Sequence, residues 1–180
     1  SIEARQNEEQ NFLEEIKDIE TFKKTAAEDF KTAYHLFKKP SFAAVMAKAD
    51  KKQKALYAGL SATSSNYQNL EEFLIGLGEK DPVSVSLKTT AADFFGLRES
   101  IQESFDIHKT GWGYLRLEIE STVDFLEPER HVITQDEFIG SSCRINYVIH
   151  AEKLKKGNQF GEIIVKSPYQ ELVYHVTASR

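Results

Sequence analysis

The hydrophobic rhythm of the chain changes once, near Pro82. Over residues 12–37 the apolar positions Phe12, Ile16, Ile19, Phe22, Ala26, Phe30, Ala33, Tyr34 and Phe37 recur every three or four residues, the spacing that lines one face of an α-helix. Thr25 followed by Glu28 either opens a second helix as a capping box or sits mid-helix, so a break near residues 21–25 stays open, while Pro40 disfavours helix at Lys39. Ser41 is placed to cap a stretch carrying Phe42, Val45, Met46 and Ala49; another carries Leu56, Tyr57 and Leu60, and residues 63–66 read as loop. Asn69 with Glu72 repeats the cap pattern ahead of Leu70, Phe73, Leu74 and Leu77, and Gly76 and Gly78 end that helix.

Past Pro82 every second residue is apolar, as in strands with one covered face. The series runs Val83, Val85, Leu87; Phe105, Ile107; Leu115, Leu117, Ile119; a short piece at Val132; Cys143, Ile145, Tyr147, Ile149; Ile163, Val165; and Leu172, Tyr174, Val176. Turn signals separate them at residues 111–113, 127–130, 140–142, 156–158 and 167–168. Seven strands without a crossover-length helix predict a segregated α+β chain: a helical segment over 1–79, then an antiparallel immunoglobulin-like β-sandwich over 82–180.

Composition narrows the function. With 41% hydrophobic residues the chain has material for a core, and its net charge of −5 argues against a nucleic-acid partner, which selects a basic surface. Cys143 is the single cysteine, so no intramolecular disulfide forms and a reducing, cytoplasmic location is expected. No run approaches the roughly 18 apolar residues of a membrane span, so no membrane partner is expected.

Residues 105–178 carry a recognisable pattern: a strand, the turn His108-Lys109-Thr110-Gly111-Trp112-Gly113, a strand, a long connection, and then Ile149 to Val165 with Leu154, Gly157, Gly161, Ile163 and Val165. This resembles the immunoglobulin-like modules of the BACON and ASPM/Hydin type. With the stretch Ser65 to Gly78, the chain is similar to the N-terminal region of a family of large bacterial proteins of unknown function, and the resemblance implies no activity or cofactor. In this pattern Gly157 and Gly161 bracket the start of a hairpin where positive φ is easy, and Leu154 plugs the sandwich end.

Reactive chemistry finds little support. His35, His108, His131, His150 and His175 have no ligand spacing, and His150 and His175 alternate toward water, so no metal site is expected. Cys143 is in phase with buried residues, Gly140-Ser141-Ser142 lacks the Gly-x-Ser-x-Gly context, and no phosphate-cradling glycine loop occurs. The acidic pairs Glu14/Glu15, Glu71/Glu72 and Glu127/Glu129 fall on helix surfaces and a turn. No catalytic residue and no cofactor are therefore assigned.

Six residues are candidate contacts: Trp112, Tyr114, Val148, Ile164, Tyr169 and Val173. Trp112 is read first as a cap on the sandwich core and second as a projecting contact. Tyr114, Val148, Ile164 and Val173 fall on faces that should be wet, forming an apolar patch if strands align them, for the helical segment or another domain of the parent chain to cover. The leading expectation is a non-catalytic interaction or spacer module contacting other domains of the parent chain or protein partners. The alternative is a carbohydrate-binding accessory module using Trp112, Tyr114 and Tyr169, and a third is an enzyme whose site another domain completes.

Overall fold

The structure, a computed structural model, describes residues 18–61 and 66–180; the readings at Phe12, Ile16 and residues 63–65 lie outside these. The described chain divides into two compact units, one running to Pro82 and including Trp112–Tyr114, the other made of Val83–Gly111 and Leu115–Arg180.

In the first unit, short polar side chains set the helix boundaries. Helix α1 (Ile19–Glu28) starts where the Thr21 N–H donates to the Asp18 carboxylate at 2.8 Å. The chain breaks at Asp29, later than the sequence suggested: its carboxylate accepts from the Thr32 N–H at 3.1 Å and starts α2 (Phe30–Phe37). Thr25 sits mid-helix, its hydroxyl donating to the Thr21 carbonyl at 2.8 Å. Pro40 opens a 3₁₀ turn (Pro40–Phe42) leading into α3 (Ala43–Met46), and Ser41 makes no cap there. Asp50 and Gln53 cap α4 (Lys51–Ser61) reciprocally, at 2.8 and 3.2 Å. Helix α5 (Tyr67–Gly76) is capped by Asn66, which accepts from the Asn69 N–H at 3.0 Å, three residues earlier than the expected cap. Phe22, Phe37, Phe42 and Phe73 meet at the centre with Leu36, Leu70 and Leu74, and the Phe22 and Phe42 rings are 4.6 Å apart. Each such fully buried side chain contributes about 1.5–3 kcal/mol.

The second unit is a two-sheet sandwich. Its described strands are β1 (Ser84–Leu87), β2 (Ala91–Phe94), β3 (Ile101–Thr110), β4 (Arg116–Ser121), β5 (Leu126–Pro128), β6 (Val132–Thr134), β7 (Ser142–Ile149), β8 (Gln159–Lys166) and β9 (Glu171–Ala178). One sheet has the order β1-β3-β7-β5 and the other β2-β9-β8-β4-β6. The expected alternation holds on β7: Cys143, Ile145, Tyr147 and Ile149 are all buried, opposite Phe105 and Ile107 of β3. In that dry layer the Tyr147 and Tyr174 hydroxyls bond each other at 2.9 Å, and burial pushes both phenols above their ordinary range.

Four details depart from the sequence reading. β2 pairs in parallel with β9, making the sandwich antiparallel-rich rather than wholly antiparallel. Residues 126–128 are a short edge strand, where Pro128 is tolerated because an edge leaves one side unpaired. In β6 the phase is shifted by one, so Ile133 is buried and Val132 faces outward. Gly157 does adopt φ 92°, but Gly161 does not have positive φ; it lies within β8, where an added Cβ would come within 2.5 Å of Val123 and 3.2 Å of Phe125. Gly161→Ala is expected to destabilise the protein by about 1–3 kcal/mol through overpacking. In urea titrations Val123→Ala should recover part of the loss in the double variant, whereas an unchanged midpoint for Gly161→Ala would contradict this packing.

Candidate functional site

An oppositely charged pair is buried in the first unit. Glu71 shares the buried stripe of α5 with Leu70 and Leu74, and its side chain is 0% exposed. A buried carboxylate must find donors. Lys80, with its side chain 2% exposed, folds back to pair with Oε1 of Glu71, and the backbone N–H of Tyr114 donates to Oε2 at 3.0 Å. The Lys80 ammonium lies 4.9 Å from the Trp112 ring centroid, and Tyr67 stacks on Tyr114 at 5.5 Å. Between the two aromatic residues Gly113 adopts φ 111°, and a Cβ there would collide with the Glu71 carboxylate and the Lys80 ammonium. Burial pushes the Glu71 carboxyl up and the Lys80 ammonium down, opposed by their own pairing.

The sequence had put Glu71 on a helix surface. The signal against that was its position three residues before Leu74 and four after Tyr67, on the apolar stripe. Chemically the arrangement is closed: both Glu71 oxygens are engaged, and neither side chain meets solvent. Other candidate groups are dispersed. Cys143 is buried, and burial pushes its thiol up, away from nucleophilic reactivity. His150 sits between Glu127 and Glu152, 2.5 and 3.3 Å away, and this contact holds the Glu127 carboxyl below its ordinary range. His175 lies outward on β9, 4.0 Å from Glu162. Among the described residues no three His, Cys, Asp or Glu side chains converge as a metal set, and no helix is long and apolar enough to cross a membrane.

The six contact candidates separate. Trp112 and Tyr114 come together around Glu71 and Lys80, so Trp112 packs on the helical core rather than capping the sandwich. Tyr114 precedes β4 and is not one of its outward residues. Ile164 and Val173 are direct partners on the outer faces of β8 and β9, whereas Val148 belongs to the other sheet, opposite Gln102 and Glu127. The four-residue patch therefore does not assemble. Tyr169 is exposed in the turn between β8 and β9, where Ser167 accepts from its N–H at 3.2 Å. Sequence reading missed the most exposed apolar side chains, Ile139 at 90%, Phe160 at 73% and Phe95 at 61%. Phe160 was discoverable, because it is out of phase with Ile163 and Val165 on its own strand.

Helices segregated ahead of an antiparallel-rich two-sheet sandwich make this an α+β protein. The chain belongs to the N-terminal family of DUF5717, a family of unknown function, which matches residues 1–180. No curated protein matches it. Solved structures with partial similarity include the ASH/PapD-like domain 7 of human CEP192, at 8% identity and TM-score 0.41, covering 53% of this chain and 83% of that one. WR4, an MSP family member of C. elegans, aligns at 7% identity and TM-score 0.42, over 53% of this chain and 97% of that one. A protein of unknown function from Porphyromonas gingivalis W83 aligns at 20% identity and TM-score 0.43, over 54% and 46%. Similarity at this level carries no functional argument.

Removing one partner of the buried pair strands the other. Glu71→Leu or Lys80→Met alone should cost about 3–5 kcal/mol, and the double variant should return to within about 1–2 kcal/mol of the native protein. The emission of Trp112, the single tryptophan, reports unfolding directly. In Lys80→Met the folded-state pKa of Glu71 stays raised, so its contribution is fully present below the unfolded value and is lost as pH rises through the folded one. That variant should therefore gain stability on acidification toward pH 4.5, and equal loss at pH 8 and pH 4.5 would contradict a desolvated carboxylate.

Proposed function

We propose that this chain is a non-catalytic interaction or spacer module of a larger bacterial protein. The observation that carries the reading is the sealed Glu71–Lys80 pair. This buried acid and base are bonded to each other out of reach of solvent, and a catalytic acid or base has to reach its substrate. Phe95, Ile139 and Phe160 stand exposed and offer apolar side chains for a partner to cover. A family described as N-terminal supports a longer parent; the bacterial parent rests on the sequence resemblance alone. The carbohydrate-binding alternative loses two of its three aromatics, since Trp112 faces Lys80 and Tyr114 stacks on Tyr67.

A photoreactive benzoylphenylalanine at Phe160 of the intact parent protein tests the proposal, with the same residue at Glu118 on the charged part of that sheet as control. Discrete adducts from position 160, to another protein or to another part of the parent, are expected, with few from position 118. No adducts at 160, or equal yields at both positions, would count against an interaction module.

A further inference from the structure

Strand β7 has a one-residue gap along its outer edge. The bond from the Lys109 N–H to the Ser141 carbonyl, 2.8 Å, fixes the phase of the β3–β7 ladder. Odd-numbered β7 residues therefore bond to β3, while Ser142, Arg144 and Asn146 direct N–H and C=O the other way. Ser142 exchanges both bonds with Ile139, at 2.9 and 3.3 Å, and the Asn146 carbonyl accepts from the Glu129 N–H at 2.9 Å. Arg144 lies between Ser142 and the bonded Asn146 carbonyl. β5 ends at Pro128, and the His131 carbonyl already accepts from Ile119 in the other sheet at 2.8 Å, so the chain has crossed away before reaching Arg144. The Arg144 carbonyl has a 4.0 Å contact with the Cys143 thiol, a long approach by a weak donor. Elsewhere the fold closes such an edge: on β1, the Gln170 side-chain amide takes both the N–H and the C=O of Val85, at 2.7 and 3.1 Å.

A cavity of about 350 Å³ opens at this gap. Its inner wall is apolar, made of buried Ile133, Cys143 and Ile145, and the exposed Ile139 stands at its lip. Arg130 is bonded to Glu137 at 3.1 Å and Arg144 to Asp106 at 3.1 Å, so both guanidiniums already hold carboxylates, and Glu129 adds a further carboxylate to the lining, which selects against an acidic ligand. The open position offers one main-chain donor and one acceptor at strand spacing, the complement of a peptide backbone.

We propose that this slot binds a short extended segment of a partner protein as a local strand addition beside Arg144. One residue of the segment exchanges both main-chain bonds with Arg144, its side chain on the outer face. In an antiparallel pair the next side chain alternates inward, so it is aliphatic and enters over Ile133 and Ile145 against Ile139. This deepens the interaction-module reading and rests on it.

The test is an NMR titration of the ¹⁵N-labelled chain with acetylated, amidated Ser/Thr heptapeptides carrying a single central Val, Ile or Leu, each also made with the residues flanking the centre N-methylated. A saturable shift of the Arg144 amide is expected, weakened about fivefold to tenfold by N-methylation, the loss of one hydrogen bond. Ile139→Ser should weaken binding without changing the melting temperature, since that side chain is exposed. No saturable Arg144 shift across the panel, or equal binding of the N-methylated peptides, overturns the slot. Saturable shifts confined to the Phe160 region also overturn the slot while sparing the module, whereas failed Phe160 cross-linking removes the module reading first.

Discussion

Closing two sheets over a dry layer leaves the central strand no choice of register. A slip of β7 by one residue would send Cys143, Ile145, Tyr147 and Ile149 to water and bring Arg144 and Asn146 into the core. Ile145, Tyr147 and Ile149 each bury about 1.5–3 kcal/mol of side chain, a large share of the roughly 5–15 kcal/mol that holds a domain together. That phase fixes which residues of β3 and β7 oppose each other, pairs the Tyr147 and Tyr174 hydroxyls, and determines which backbone groups of β7 face away from β3.

Polar groups obey a matching rule in the helical unit. Glu71 is drawn inside by its place on an apolar stripe, and its charge is then met by Lys80 and the Tyr114 amide at a point where only glycine fits between the aromatic side chains. The result is a carboxylate with both oxygens bonded inside the protein. Across the described chain, the groups that sequence gazing would nominate for chemistry are paired, buried or scattered, while the open backbone position and the bare apolar side chains lie on the sandwich surface.

Much of the architecture was legible because periodicity is local. The switch from three-and-four spacing to alternation at Pro82 and the four inward residues of β7 follow from residue order alone. What escaped depends on partners distant in sequence. β2 is a strand because β9 is beside it, Val132 faces out because its register with Glu118 says so, and Gly161 is small because Val123 crosses it. Asp29 displaced the helix break because two helices share one short acidic residue, a coincidence that periodicity does not encode. Of the candidate site, Trp112 and Tyr114 were picked correctly as notable, but their setting was not, since nothing in the local pattern announces Lys80 as their neighbour.

Amide hydrogen exchange along β7 tests the central claim most directly. The amides of Cys143, Ile145, Tyr147 and Ile149, bonded into the β3 ladder, should exchange only by global unfolding, and the Arg144 amide should exchange as fast as an exposed loop between protected neighbours. Rapid exchange at all four odd positions, or protection of Arg144 equal to theirs, would contradict both the register and the open edge.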